Sequence, residues 1–333
     1  MSDHLPTASL DMLRLRARLL AAARRFFDHR GYFEVDTPLL SHDRVVDPHL
    51  APFQVNGANP AVYLQTSPEF AMKRLLSAGA TAIYQIGHVF RAGELGQRHN
   101  PEFTMIEWYR VGDTHWEQMQ VVEDLVLAAF AEVAESWPQT PQRWTVPAGP
   151  FLRTTYRDAF RKYAGVDALG MPTSELIRLC DDRGVVVPES MSPDDRDGWL
   201  NLLLAELIEP QLGRARPEFL IDYPASQAAI ARIREDELPV AERFELYIAG
   251  IELCNGYHEL TDPVELRRRM SEESQRLVDA GEPPLVMSNR LLAAMEASLP
   301  PCAGVALGFD RLLMVATGAS SIADVLAFPF PRA

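Results

Sequence analysis

Lysine is nearly absent from this chain of 333 residues: Lys73 and Lys162 are the only two, and arginine supplies the other positive side chains. We read that skew as a bias of genome composition, not as a functional signal. Cysteine is scarce too. Cys180, Cys254 and Cys302 are odd in number and widely spaced. No C-x2-C pair exists, so neither a zinc site nor a disulfide framework is expected. The N-terminus lacks a hydrophobic signal core and no apolar run approaches membrane-spanning length, which leads us to expect a soluble cytoplasmic protein with no membrane partner. There is no internal repeat and no basic run. The formal net charge is −14. Phosphate neutralisation supplies most non-specific affinity for nucleic acid, so binding to an extended nucleic acid is disfavoured, while a local basic pocket stays compatible with this balance.

What is present is an ordinary globular balance, 23% charged and 47% hydrophobic residues, in a chain long enough for one large domain or two moderate ones. Apolar periodicity predicts a helix over residues 10–30 with Leu13, Ala17, Leu20 and Phe27 on one face and Gly31 as its C-cap. A strand over Tyr32–Thr37 stops at Pro38. After a loop to about residue 60, Val62–Gln65 reads as a short strand. Ser67-Pro68-Glu69 then opens a helix: Ser67 can cap it, Pro68 suits its first turn, and Glu69 favours the positive helix end. Strand-like segments Ala82–Ile86 and Met105–Tyr109 flank a polar loop. Residues 115–135 read as helix, Trp137–Pro150 as the best internal linker, and 151–215 as mainly helical. Strands return at Glu218–Tyr223, Arg243–Ile248 and Gly250–Gly256. Helices follow over 263–280 and 288–298, and the chain closes on strand Gly304–Gly308 and helix Asp310–Ala316. Regular crossover helices are missing between the strands. The expected fold class is therefore α+β, a mostly antiparallel sheet flanked by helices and not a doubly wound parallel one.

Three stretches carry chemistry. The first hairpin offers Arg91, His99, Asn100 and Phe103: an arginine fork suits phosphate and an aromatic ring can stack on a purine. A hairpin with a polar turn and a core Phe explains the same spacing equally well. The second stretch, Glu245-x6-Glu252-x2-Asn255-x-Tyr257-x-Glu259, places carboxylates along consecutive strands. Glu245 and Glu252 could meet across the hairpin, as magnesium ligands beside an ammonium pocket or as a solvated strand face. In the third, Gly304-Val305-Ala306-Leu307-Gly308-Phe309-Asp310-Arg311, Gly308 would let a ligand approach the backbone, and Arg311 opposes the dipole of the helix it opens, as it would beside a bound anion. A buried strand–turn–helix capped by Asp310 is the plainer reading.

Taken together and in order, these pieces resemble the three motifs of the class II aminoacyl-tRNA synthetases, in their lysyl branch. Pro38 resembles the first-motif proline of the dimer interface, Phe90–Tyr109 the second motif, Gly304–Leu312 the third, and Glu252–Leu260 the lysine-pocket segment. The resemblance covers nearly the whole chain and starts within its first thirty residues, which leaves no room for the anticodon-binding OB domain of lysyl-tRNA synthetases. The shorter form is similar to the elongation factor P lysyltransferase family, which activates (R)-β-lysine with ATP and transfers it to a lysine of elongation factor P. Ser67 stands where lysyl-tRNA synthetases usually carry alanine, and Ala306 where they carry glycine; the extra methyl would crowd the α-substituent of ordinary lysine. Where many lysyl-type motifs read Arg-Asn-Glu, this chain reads Arg91-Ala92-Gly93-Glu94. Either a loop shift brings Glu94 to adenine or that contact is absent.

The resemblance implies a single class II synthetase-like catalytic domain over 1–333 with a mainly helical insertion around 140–215, acting as a homodimer without extended tRNA binding. It implies ATP and Mg2+ as cofactors, (R)-β-lysine or L-lysine as substrate, and elongation factor P as acceptor. It assigns catalysis to Arg91 and Arg311. It assigns ATP to Arg91, Ala92, Gly93, Glu94, His99, Asn100, Phe103, Glu252, Leu253, Gly308 and Arg311, and magnesium to Glu245 and Glu252. The amino acid falls to Ser67, Pro68, Glu69, Tyr109, Asn255, Tyr257, Glu259 and Ala306. Two rivals share parts of this pattern: a truncated lysyl-tRNA synthetase-like enzyme charging tRNA or another carrier, and a non-catalytic amino-acid-binding regulator.

Overall fold

A computed structural model describes residues 4–43, 51–58, 60–137, 149–279, 281, 284–285, 287 and 289–333. The chain divides into two compact units, Met1–Pro147 with His258–Ala333, and Ala148–Tyr257. Most of the expected linker at Trp137–Pro150, the start of the expected insertion, and part of the loop before residue 60 lie outside the described residues.

The first unit begins with α1 (Leu10–Asp28), capped by Ser9, whose side chain accepts from the Met12 amide. Its buried face is Met12, Leu15, Leu19, Ala23, Phe26 and Phe27. That corrects the expected face. Leu13 and Leu20 are half-buried and Ala17 is exposed, because the stripe is phased one residue earlier than the leucines suggest. The helix ends two residues before the expected bound, with Gly31 just beyond it at φ +76°. The strand expected over Tyr32–Thr37 shrinks to β1 (Phe33–Glu34). After β2 (Leu40–Ser41) and β3 (Tyr63–Leu64), α2 (Glu69–Ser77) starts behind Pro68, and Ser67 Oγ accepts the Glu69 amide at 3.0 Å.

The first hairpin is longer on both arms than the apolar residues suggested: β4 (Ala82–Phe90) and β5 (Glu102–Val111) pair antiparallel throughout. Helix α3 (His115–Ser136) follows, with a capping box between Thr114 and Glu117. Phe27 of α1 stacks on Tyr84 with ring centroids 4.7 Å apart and leans on Trp108, all three buried. Hydrophobic burial of such rings fixes the helix on the β4–β5 arms.

The second unit opens with β6 (Leu152–Thr155), a strand where the sequence reads as helical, and continues through helices α4 (Tyr156–Tyr163), α5 (Thr173–Arg183) and α6 (Arg196–Leu203). Strands β7 (Glu218–Pro224), β8 (Ile233–Arg234), β9 (Val240–Ile248) and β10 (Ile251–His258) complete it, in the order β10-β9-β7-β6 with β8 on β9. The β9–β10 turn, Ala249-Gly250, has positive φ at both residues, 55° and 72°, the hand that suits a tight hairpin.

The chain returns to the first unit with α7 (Pro263–Asp279) and α8 (Arg290–Ser298). Strand β11 (Cys302–Gly308) lies antiparallel to β5 and runs directly into α9 (Phe309–Thr317). The strand order in this unit is β1-β4-β5-β11. Parallel pairing occurs at β1–β4 and β6–β7. The pairs β2–β3, β4–β5, β5–β11, β7–β9, β8–β9 and β9–β10 are antiparallel. The expectation of a mostly antiparallel sheet with flanking helices therefore holds.

Candidate active site

Strand β5 organises the first unit's polar residues. Side chains alternate across a strand, so Phe103, Glu107 and Tyr109 share one face. Across the ladder, Met105 faces Gly308, Glu107 faces Ala306 and Tyr109 faces Gly304. The neighbouring strand thus offers only small residues beside the polar ones. Gly304 is required there: a Cβ on it would come within 2.2 Å of the Tyr109 ring and 2.9 Å of Glu259 Oε1. Gly308 ends β11 as the N-cap of α9.

At the Glu107 end sits a buried cluster. Glu107 accepts from Ser67 Oγ at 2.8 Å and from the Tyr109 hydroxyl at 2.6 Å. Lys73, only 1% exposed, bridges Glu69 Oε1 at 2.7 Å and Glu259 Oε2 at 2.5 Å. The other oxygen of Glu259, Oε1, is buried without a hydrogen-bond partner. Burial, and then the charge of Glu69, push Glu107 up to about 7. Burial pushes Glu259 up to about 8 even though Lys73 pulls it down. Burial alone would lower Lys73, but Glu259 and Glu69 outweigh it and keep the ammonium above its usual range. Burial and Glu107 hold the Tyr109 hydroxyl well above the ordinary tyrosine range, so it donates and does not ionise. Such a site offers carboxylates and a hydroxyl for ammonium groups.

At the Phe103 end the side chains are cationic. The Arg91 guanidinium lies over the Phe103 ring, 5.0 Å from its centroid. Glu94 Oε1 is 3.7 Å from Arg91, behind a turn where Gly93 has φ +81°. Glu94 therefore sits beside Arg91, one residue after the position the family motif gives it. Ala92 is pinned by its amide to the Ala51 carbonyl at 2.8 Å. Arg311, in the first turn of α9, lies 2.5 Å from His99 Nε2. Burial, and then Arg311, lower His99 below its usual range, so the imidazole is neutral at pH 7 and can accept from the guanidinium. Asn100 is committed internally: its amide group donates to the Glu102 carbonyl at 2.6 Å and its oxygen accepts the Phe330 amide at 2.8 Å. Asp310 is not the cap that the plainer reading proposed. It is buried, accepts the Thr104 amide at 2.7 Å, and pairs with Arg16.

In the second unit, β9 and β10 place Glu245 opposite Asn255 and Glu252 opposite Tyr247. The two carboxylates are therefore not direct cross-strand partners, as the sequence suggested they could be. A bulge between Glu252 and Cys254 shifts the register by one residue. It brings Glu252 onto the face of Asn255 and Tyr257, which a regular strand with that three-residue spacing would not do. Glu245 is buried and heavily engaged: Tyr223 and Tyr247 donate to Oε2 at 2.5 and 2.6 Å, and Arg243 to Oε1 at 2.6 Å. Those bonds occupy three of the roughly four acceptor positions of a carboxylate, which leaves little of it for a metal. Asn255 donates to the Tyr257 hydroxyl at 3.1 Å, and its own oxygen is buried without a hydrogen-bond partner. Leu253 is buried.

Three residues of the first unit escaped the sequence reading. Lys73 sits four residues after Glu69, so a helical turn stacks the two. Glu107 precedes Tyr109 by two, so a strand puts them side by side. Gly304 showed no sign of its role, because the atoms it makes room for come from β5 and from Glu259.

A family model described as tRNA synthetases class II (D, K and N) matches residues 4–332. A protein of Vibrio vulnificus (strain YJ016) is 43% identical over 341 residues, covering 100% of this chain and 99% of its own. Its name is elongation factor P–(R)-β-lysine ligase, as are those of a Vibrio cholerae protein, 43% identical over the same coverage, and a Pasteurella multocida protein, 40% identical over 98% of both chains. With a family match along its whole length and relatives of this similarity, the chain belongs to the class II tRNA synthetase (D, K and N) family.

Proposed function

We propose that this protein is an ATP-dependent, AMP-forming ligase that activates (R)-β-lysine as an adenylate and transfers it to a lysine side chain of elongation factor P. The observation that carries this reading is the single face of β5. It presents Phe103, under Arg91, at one end and the Glu107–Tyr109 carboxylate cluster at the other. A cationic, ring-bearing end suits a nucleotide, and an acidic, buried end suits an amino acid carrying ammonium groups. The relatives' names supply the acceptor and the isomer.

In the first step the substrate carboxylate attacks the α-phosphorus of ATP and expels pyrophosphate. Arg91 holds the α-phosphate and stabilises its growing charge. His99 and Arg311 bind the distal phosphates, and Phe103 stacks on adenine with Arg311 over its other face. In the second step an acceptor amine attacks the carbonyl carbon, the C–O bond to the phosphate breaks, AMP leaves, and the amine proton is lost as the amide forms. Positioning and charge stabilisation supply the rate in both. Glu259, Tyr109 and Glu107 take the side-chain ammonium, and Glu69 with Ser67 the other amine. On the second unit, Glu252 is the residue we favour as a ligand for magnesium, since Glu245 is engaged by Tyr223, Tyr247 and Arg243.

We place the enzyme in the cytoplasm as a homodimer formed through the Pro38 segment. No described helix is long and apolar enough to cross a membrane. Phe33, Leu39 and Leu40 flank Pro38 and are 53%, 43% and 54% exposed, a cluster that a second subunit could cover. Amino-acid-dependent ATP–pyrophosphate exchange tests the first step. (R)-β-Lysine should support exchange better than L-lysine, and no exchange with either would overturn the reading.

A further inference from the structure

Lys73 is the one fully buried lysine of a chain that has only two. A buried ammonium is costly unless paired, and this one is paired twice. It stands between Glu69, four residues earlier on the same helix, and Glu259, which reaches it from outside that helix. Lys73 Nζ also lies 5.9 Å from the centre of the Tyr109 ring. The other ionisable groups facing this cluster are Glu107 and Tyr109 on β5 and the Cys302 thiol on β11, which burial and then Glu259 push up to about 12. At neutral pH neither the tyrosine nor the thiol carries charge.

We propose that Lys73 is a positioning and specificity-determining residue of the amino-acid site: its ammonium ties Glu69 to Glu259 and, once all three carboxylates are ionised around bound substrate, leaves them with two net negative charges, the complement of a substrate bearing two ammonium groups. The proposal rests on the functional reading above and adds to it the reason a pocket built for a diamine contains a cation of its own. Without Lys73, three carboxylates would crowd one buried space and hold protons more tightly, since like charges at short range cannot all ionise. With Lys73, one oxygen of Glu259 is fixed and the other, Oε1, faces the space above Gly304 and is left open for a ligand. Lys73 touches only Glu69 and Glu259 among the groups assigned to the substrate and none of those assigned to ATP, so its influence should be confined to the amino-acid half of the site.

The test is ATP–pyrophosphate exchange across a pH series with wild type, Lys73→Met and Lys73→Arg. No exchange in wild type would refute the functional reading, not the role of Lys73. Given wild-type exchange, Lys73→Met should raise KM for (R)-β-lysine about tenfold or more while KM for ATP stays within about twofold. Its kcat/KM for (R)-β-lysine should reach half-maximum about one pH unit or more higher, because the carboxylates have lost the charge that favours their ionised forms. Lys73→Arg should keep the wild-type profile. A Lys73→Met enzyme with an unshifted profile, or with both KM values raised alike, would overturn the proposal. Calorimetry on wild type needs no variant. Binding (R)-β-lysine near neutral pH in buffers of different ionisation enthalpy should release protons as the ammonium groups ionise the cluster, and no release would also overturn it.

Discussion

Ala306 on β11 stands directly opposite Glu107 on β5. Its methyl group therefore lies on the wall of the carboxylate cluster, where glycine would leave space. Ala306→Gly should improve the use of L-lysine relative to (R)-β-lysine by about tenfold, the scale of one methyl group in a shaped pocket. Exchange kinetics with both isomers check this, and an unchanged ratio would discard the size argument.

Gly304 makes the complementary case. An added methyl group would collide with the Tyr109 ring and press on Glu259 Oε1. Gly304→Ala should displace both groups, at a cost of about 1–3 kcal/mol in stability for the overpacking. KM for the amino acid should rise well above any change in KM for ATP. Thermal denaturation and a two-substrate kinetic series read the two effects separately.

The carboxylates should also respond individually. Glu259→Gln removes the ionisable carboxylate and leaves a single oxygen where two now serve Lys73 and the space above Gly304. It should weaken amino-acid binding far more than ATP binding, and an equal loss in both would contradict the ammonium assignment. At the other end of β5, Arg91→Ala should reduce exchange by about a hundredfold or more, the usual loss when a donor to developing charge is removed. Wild-type-like exchange would rule out its role on the α-phosphate.

Glu107 and Glu259 are raised from an ordinary value of 4.5 to about 7 and about 8. The folded protein binds their protons more tightly than the unfolded chain does. Their contribution to stability is therefore complete below the unfolded value and is lost as pH rises through 7 and 8. In the substrate-free protein this contribution to Tm should fall between about pH 4.5 and about pH 8, and (R)-β-lysine should raise Tm more at the upper end. Glu107→Gln with Glu259→Gln should flatten the slope; an unchanged slope in that double variant would contradict these assignments.

Much of this was legible in the sequence where the signal is local. The cores of the arms of the Arg91–Phe103 hairpin, the helix start at Ser67-Pro68-Glu69, and the strand-to-helix closure at Gly308 each follow from a short stretch of residues. What was lost depends on partners far along the chain. The buried stripe of α1 runs through Met12, Leu15 and Leu19 because of what packs against it, and leucine spacing alone pointed one residue away. The bulge after Glu252 reverses which side chains share a face, and no residue there announces it. Lys73 shows no sign of its role until Glu259, almost two hundred residues later, is placed beside it. Glu245 has the composition of a metal ligand, but Tyr223, Tyr247 and Arg243 converge on it.

The central claim is the identity of the acceptor, which the exchange reaction cannot reveal. The most direct measurement incubates the enzyme with ATP, isotopically labelled (R)-β-lysine, elongation factor P and tRNA together, and locates the label by mass spectrometry. The account predicts label in amide linkage on one lysine side chain of elongation factor P, with AMP released in equal amount. Label on tRNA alone would contradict it.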